Sequence, residues 1–143
     1  MKVRNARVGD EDGIASLLFD MGYPSSSTSV KERFRPIMND SEYVTLLVEE
    51  NDCLIGMLGM HFERSYVSDI TVARIITMVT SRDHRQRGVG RMLIMEAERL
   101  AVNREASTIV LNSGNRKERA AAHLFYKACG FIAKSTGFYK SMG

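Results

Sequence analysis

The sequence has few cysteines and no long apolar run, and both shortages exclude whole classes of protein. Its two cysteines, Cys53 and Cys129, lie far apart in the chain, which argues against a disulfide framework and for two reduced, buried thiols. No stretch approaches the ~18 consecutive apolar residues of a membrane span, and the first residues lack the apolar core of a signal peptide. We therefore expect a soluble, cytoplasmic protein with no membrane partner.

Repeats, low-complexity tracts and linkers are also missing, so the 143 residues are expected to form one domain over 1–143. Hydrophobic residues make up 44% of the chain and charged residues 26%. This composition excludes a disordered or fibrous protein. The net charge of +3 is a mild basic excess that suits an anionic ligand better than nucleic acid, so no nucleic-acid partner is expected.

Hydrophobic periodicity and turn residues predict a mixed-sheet α/β domain. Asp10 is a good N-cap for the first helix, and Asn51-Asp52 is a turn signal between two strands. Gly56 and Gly59 mark a bulge or a close approach of another element. In chain order, the predicted elements are a strand at 3–8, helices at 10–20 and 28–38, strands at 43–49, 53–62 and 71–80, a helix at 88–103, a strand at 108–111, a helix at 116–129 and a strand at 131–140.

The most informative segment runs from the end of the third long strand into the following helix, over residues 79–91. It combines the end of a buried strand, a loop rich in arginine and the two glycines Gly88 and Gly90. The first N–H groups of a helix have no intrahelical partner, and the helix dipole adds partial positive charge there. Glycine lets a phosphate approach the backbone, and arginine adds charge-assisted hydrogen bonds. The segment therefore predicts an anion site.

Two common phosphate-binding loops do not fit this segment. A Walker A loop would need Gly-x4-Gly-Lys-Ser/Thr, which is absent, and a dinucleotide fingerprint would need a third glycine where Leu93 stands. A bare Gly-x-Gly is a weak signal by itself, so the surrounding residues have to identify the ligand.

The run Arg85-x-x-Gly88-x-Gly90 after a hydrophobic strand resembles the acyl-coenzyme A signature of the GNAT N-acetyltransferase family. About 40 residues later, the segments 115–126 and 130–131 are similar to the late helix and final-strand entry of that family. The resemblance covers nearly the whole chain. It implies a mostly antiparallel, mixed central sheet flanked by about four helices, an α/β (α+β) fold.

The resemblance also implies roles for individual residues, with acetyl-CoA as co-substrate. The backbone N–H groups of residues 86–91 would hold the pyrophosphate, and the main chain of residues 78–80 would pair with the pantetheine arm as a further strand. Arg116, Lys117, Arg119 or Lys127 would contact the 3′-phosphate. The residues implied in coenzyme binding are Met78, Val79, Thr80, Arg85, Gln86, Arg87, Gly88, Val89, Gly90, Arg91, Asn115, Arg119 and Lys127.

The implied reaction is attack of a neutral amine on the thioester, with Tyr126 protonating the departing thiolate and a strand-end N–H near Val79 stabilising the oxyanion. Many family members carry a glutamate on the strand before the signature, but residues 74–79 contain no carboxylate. His61 is the first candidate for the base, because an imidazole side chain can accept a proton near neutral pH. The other candidates are Glu63, Asp69, His84 and a chain of waters. No metal site is expected, because His123 has no second ligand at metal spacing.

Three functions remain open at this point. The first is an acetyl-CoA-dependent N-acetyltransferase of small amines, with aminoalkylphosphonate and aminoglycoside acetyltransferases as the nearest patterns. The second is a protein N-terminal or lysine acetyltransferase. The third is a non-catalytic acyl-CoA-binding or nucleic-acid-binding module, and the scarcity of aromatic residues between the arginines argues against nucleic acid. Assembly into a homodimer is left open.

The excess positive charge is local. Residues 82–91 contain four of the 20 basic and one of the 17 acidic residues, so the rest of the chain is balanced. The charge of the whole protein therefore points to the same loop as the motif.

Overall fold

The computed structural model describes residues 1–114 and 117–143, with the side chain of residue 118 also left out of the description. The contacts divide the chain into two units, Met1–Val110 and Leu111–Gly143. Each unit is described by itself below.

A five-stranded sheet organises the fold, and its strands lie in the order in which they occur in the chain. The first four strands pair antiparallel with their sequence neighbours. The strands are β1 (Lys2–Asn5), β2 (Tyr43–Glu50), β3 (Cys53–Arg64), β4 (Thr71–Thr80) and β5 (Ala106–Leu111).

Four helices accompany the sheet, which confirms the predicted mixed, mostly antiparallel architecture. A short 3₁₀ turn lies in the arginine-rich loop at Arg82–His84, and another precedes the last helix at Lys117–Arg119. The helices are α1 (Glu11–Met21), α2 (Ser27–Met38), α3 (Val89–Asn103) and α4 (Ala120–Ala128).

The β2–β3 hairpin turns at Asn51 and Asp52, as predicted. Both residues are left-handed, with φ of 51° and 63°. Positive φ at both central residues is the signature of a type I′ turn, whose twist matches that of the flanking strands. Glu50 and Cys53 consequently face each other, and the register of the hairpin is set.

One face of the sheet forms the core beneath α1 and α2. The three central strands contribute Leu47, Met57 and Val79, which pair across β2, β3 and β4. Removing these apolar side chains from water is the main stabilisation of this layer. The helix residues packed on them are Ile14, Leu17, Leu18 and Val30.

An ion-pair cluster joins β1 to the start of α1. Arg4 donates from both terminal nitrogens to the two carboxylate oxygens of Asp10, at 2.9 and 2.8 Å, and reaches Glu49 at 3.3 Å. The backbone N–H of Arg7 also donates to Asp10, at 2.8 Å. Asp10 holds the predicted N-cap position, but its side chain makes no capping bond to α1. The guanidinium of Arg4 lowers the pKa of Asp10 and thus favours its charged form.

Some predicted features are wrong. The described residues 131–143 contain no strand, so the strand predicted at 131–140 is missing. Both cysteines are free, as expected, but Cys53 is exposed and Cys129 is half-buried, so neither is a packed core thiol. In the described part of the chain, none of the helices has the length and apolar composition of a membrane span.

Replacing Asp10 by Asn should lower the free energy of unfolding by about 2–3 kcal/mol, because the largely buried Arg4 keeps only Glu49 as a charged partner within the described residues. Urea denaturation measures this loss, and Asp69→Asn in an exposed loop is the control. The lowered pKa of Asp10 means that its stabilisation is fully present above the ordinary value of 3.8 and disappears as the pH falls below it. Equal stability of Asp10→Asn and wild type at pH 7 would contradict this assignment.

Candidate active site

The end of β4 leads directly into the arginine-rich loop and then into α3. Gly56 of β3 pairs with Thr80, the last residue of β4. The N–H of Ser81 donates to the carbonyl of Ile55 at 2.8 Å, so the loop leaves the sheet while still bonded to β3. Seven residues separate Ser81 from the start of α3 at Val89.

The backbone of the loop adopts two left-handed residues just before α3. Gln86 has φ of 62° and Gly88 has φ of 84°. Positive φ at Gln86 is uncommon for a residue with a side chain, and alternating backbone conformations of this kind turn successive N–H groups toward one concave surface. Left-handed residues at these two positions are compatible with the anion site that the motif predicts.

The N-terminus of α3 offers its N–H groups to an anion. Gly88 is the N-cap, and among the described side chains none caps the helix or places a carboxylate in its first turn. The first intrahelical bond runs from the N–H of Met92 to the carbonyl of Gly88, at 3.0 Å. The N–H groups of Val89, Gly90 and Arg91 precede that bond, and the helix dipole adds positive potential around them.

A glycine on β3 allows α3 to begin so close to the sheet. A Cβ built on Gly56 would lie 2.5 Å from Cγ1 of Val89 and 3.3 Å from Cδ1 of Leu93. The first turn of α3 therefore packs directly on the β3 backbone, with Val89 fully buried. The predicted close approach at Gly56 is confirmed. The register shift between Gly59 and Met60 confirms the irregularity expected at Gly59.

Two carboxylates that the sequence reasoning missed hold the loop. Asp20 near the end of α1 accepts from the N–H of Arg82 at 3.0 Å, and Glu50 accepts from Nη2 of Arg87 at 3.0 Å. The bond from Arg87 lowers the pKa of Glu50. Both contacts join residues more than thirty positions apart, so no local sequence pattern predicts them.

The arginines of the loop differ in whether their side chains form ion pairs. Arg87 is occupied by Glu50, so its side chain is less available to a ligand than its backbone N–H. Arg82, Arg85 and Arg91 are exposed, and none of their side chains forms an ion pair within the described parts of the chain. These side chains can turn toward an incoming anion.

The start of β5 lies beside the start of β4. Ser107, the second residue of β5, lies 3.5 Å from the carbonyl of Thr71, the first residue of β4. The predicted coenzyme residues Met78, Val79 and Thr80 lie at the other end of β4. The side chain of Val79 is buried in the core, so the main chain is what this segment can offer.

His61 lies on the sheet and away from the arginine-rich loop. It follows Gly56 by five residues on β3, about 17 Å along the strand. Its ring lies 4.5 Å from that of Tyr43, centroid to centroid. His61 also faces Arg74 of β4 in register.

The other candidate bases have different surroundings. Glu63 forms an ion pair with Arg74, whose Nε and Nη2 donate to one carboxylate oxygen at 3.0 and 2.8 Å. Asp69 is exposed in the β3–β4 loop. His84 lies in the arginine-rich loop, 3.1 Å from the hydroxyl of Ser81. His61 is therefore the candidate that lies on the sheet without a carboxylate partner among the described residues.

The second unit contains the remaining predicted site residues. Tyr126 lies on α4, half-buried, with ring centroids 5.7 Å from Phe125 and 6.1 Å from Phe131. This burial raises its pKa. Gly130, at φ of 93°, ends α4 as predicted. Arg119 lies 3.4 Å from the hydroxyl of Ser113, Lys127 is exposed, and the predicted residue 115 falls outside the described residues.

Comparison with known proteins gives one family match. The model of the acetyltransferase (GNAT) family matches residues 12–131. No curated protein sequence matches the chain significantly. Residues 12–131 include the whole of the arginine-rich loop and α4, so the match rests on both motifs identified in the sequence.

Solved structures share the fold over its full length. A GNAT family acetyltransferase from Staphylococcus aureus is 26% identical, with a TM-score of 0.85 over 99% of this chain and 98% of that one. Glucosamine-6-phosphate N-acetyltransferase from Arabidopsis thaliana is 17% identical, with a TM-score of 0.84 over 99% and 98%. An aminoglycoside 6′-N-acetyltransferase from Acinetobacter haemolyticus is 19% identical, with a TM-score of 0.81 over 100% and 99%.

Gly56→Ala should destabilise the protein by about 1–3 kcal/mol, because the new methyl group would lie 2.5 Å from Cγ1 of Val89. Val89→Ala removes that atom, so the double variant should lose less stability than the two single losses added together. Gly59→Ala, whose new atom meets Thr77 at a milder 3.1 Å, is the matched control. Urea denaturation of the four proteins measures the coupling, and simple additivity would contradict the contact.

Proposed function

Because the chain belongs to the acetyltransferase (GNAT) family, we propose that it transfers an acetyl group from acetyl-CoA to the primary amine of a small molecule. The observation that carries the proposal is the uncapped N-terminus of α3, preceded by the left-handed residues Gln86 and Gly88 at the end of β4. This arrangement supplies convergent backbone donors to a pyrophosphate.

Coenzyme binding in this proposal uses mostly main-chain groups. The N–H groups of residues 86–91 bind the pyrophosphate, with Arg85 and Arg91 adding charge from their exposed side chains. The main chain of residues 78–80 pairs with the pantetheine arm along the end of β4. Arg119 and Lys127 are assigned to the 3′-phosphate, as the family resemblance implies.

The proposed reaction is a direct acyl transfer. The neutral amine nitrogen forms a bond to the thioester carbonyl carbon and gives its surplus proton to a base, and the bond from that carbon to sulfur breaks. A backbone N–H near Val79 stabilises the charge that develops on the carbonyl oxygen. Tyr126 gives its proton to the departing thiolate, and its raised pKa keeps that proton in place at neutral pH. His61 is the proposed base.

The small size of the acceptor and the location of the protein are also parts of the proposal. The names of two neighbours refer to small amines, an aminoglycoside and glucosamine 6-phosphate, although at 19% and 17% identity they share only the fold. A cytoplasmic location is supported by the two free cysteines, Cys53 and Cys129.

The purified protein should bind acetyl-CoA with a measurable heat in titration calorimetry, and Gly88→Glu should abolish that binding. A glutamate at this position blocks the approach of the pyrophosphate to the backbone and repels its charge. Gly22→Glu is the matched control, because Gly22 is also exposed and left-handed, with φ of 95°, but ends α1 instead of starting α3. Undiminished binding by Gly88→Glu would show that the coenzyme binds elsewhere.

Tyr126→Phe should lower kcat by about 100-fold while leaving the Kd for acetyl-CoA within about twofold, since only the proton donor is lost. Thiolate release under saturating coenzyme measures kcat, and calorimetry measures Kd. Tyr139→Phe, at a residue that is 85% exposed, is the control. If kcat of the Tyr126 variant stays at the wild-type value, Tyr126 is not the general acid.

A further inference from the structure

A row of three polar side chains crosses the middle strands of the sheet. Tyr43 of β2 faces His61 of β3, and His61 faces Arg74 of β4. Residues directly opposite each other in antiparallel strands point to the same face, with their Cβ atoms about 4.5–5.5 Å apart. The hydroxyl, the imidazole and the guanidinium therefore form one continuous polar row.

The row continues the face of the sheet that α1 and α2 cover. His61 follows Met57 by four residues in a regularly paired stretch of β3, so it shares the face of that core residue. Thr77 of β4 donates from its hydroxyl to the sulfur of Met21, the last residue of α1. Beyond that point the face becomes half-exposed, and the side chain of Arg74 is 40% accessible.

The row contains more hydrogen-bond donors than its neighbours use. Arg74 gives Nε and Nη2 to Glu63, which fixes the orientation of the guanidinium and leaves Nη1 available. In the described parts of the chain, neither the hydroxyl of Tyr43 nor the ring of His61 has a hydrogen-bond partner. Two donors on either side of His61, the hydroxyl of Tyr43 and Nη1 of Arg74, suit one acidic group with several oxygen atoms.

The position of the row along β4 fits the acceptor side of the proposed reaction. Arg74 lies six residues before Thr80, about 20 Å along the strand. A coenzyme bound by its pyrophosphate at the start of α3, with its arm along residues 78–80, extends back along β4 toward this row. The row would then lie past the thioester, where the acceptor has to bind.

We propose that this row binds an acidic group of the acceptor, a carboxylate or a phosphonate, that lies a few bonds from the reacting amine. The inference rests on the proposed function and names the substrate class. Arg74 binds the acid, Tyr43 adds a donor, and Glu63 is a positioning residue that holds Arg74. The amine lies near His61, and because His61 and Arg74 are direct neighbours, amine and acid are close together in the molecule.

The charges of the row disfavour the polycationic acceptors. An aminoglycoside or polyamine needs free carboxylates to neutralise its ammonium groups. The carboxylate here, Glu63, is already neutralised by two hydrogen bonds from Arg74. A short amino acid or aminoalkylphosphonate carries the complementary charge.

A panel of matched amines tests the inference at saturating acetyl-CoA, with thiol release as the readout. β-Alanine and 2-aminoethylphosphonate carry the acid, and β-alaninamide has the same length without the charge. We expect kcat/KM for the better acid to exceed that for the amide by about 30-fold, mostly through KM. The ranking of the two acids identifies which group the site takes.

Variants of Arg74 connect that preference to the row. Arg74→Gln should reduce the 30-fold preference for the acid to near unity. Arg74→Lys keeps the positive charge but loses the paired N–H donors of the guanidinium, so it should retain part of the preference. Arg64→Gln is the matched control, because Arg64 is an exposed arginine at the end of the neighbouring strand β3. A preference unchanged by Arg74→Gln would overturn the inference.

The panel also separates this inference from the proposed function. If the protein binds acetyl-CoA but acetylates the amide, a polyamine or a peptide as well as the acids, the acidic-group inference is overturned and the acetyltransferase proposal stands. If calorimetry shows no binding of acetyl-CoA, both are overturned. Selective turnover of an acid, lost in Arg74→Gln, supports both.

Discussion

The close contact between the first turn of α3 and the backbone of β3 is the constraint on which the candidate site depends. Gly56 leaves room for Val89, and the helix can therefore start against the sheet directly beyond the end of β4. This places the uncapped N–H groups of the helix beside the strand whose main chain is the proposed binding edge. Asp20 and Glu50 then hold the intervening loop through one backbone and one side-chain bond. The anion site is thus built from backbone geometry, with side chains mainly holding that backbone in place.

The arginine-rich loop offers less unpaired positive charge to the candidate site than its number of arginines indicates. Four arginines lie in residues 82–91, but Arg87 is neutralised by Glu50. The exposed arginines Arg85 and Arg91 add attraction that salt screens. Directed backbone donors around Gly88 are not screened in the same way, because they act at hydrogen-bond distance. The proposed pyrophosphate site therefore depends mainly on backbone donors and is compatible with a net charge of only +3.

Local signals in the sequence predicted most of the fold. The β2–β3 turn, the bounds of β4, the start of α3 and the end of α4 at Gly130 are all governed by residues within a few positions of one another. Contacts between distant residues were missed. The sequence around Asp20 and Glu50 does not indicate that these residues contact the loop. Asp10 bonds to Arg4 instead of capping α1 as predicted. Residues 131–140 were predicted as the last strand, but their sequence does not identify a pairing partner, and no strand forms in that described segment.

Both proposed binding regions lie on β4. The coenzyme is assigned to the end of this strand and the acceptor to the row around Arg74. The proposed function depends on binding of the pyrophosphate by backbone N–H groups at the start of α3. A crystal structure of the acetyl-CoA complex would show this binding. We expect phosphate oxygens within about 3 Å of the N–H groups of residues 88–91. Phosphates bound only by arginine side chains, or away from the start of α3, would contradict it.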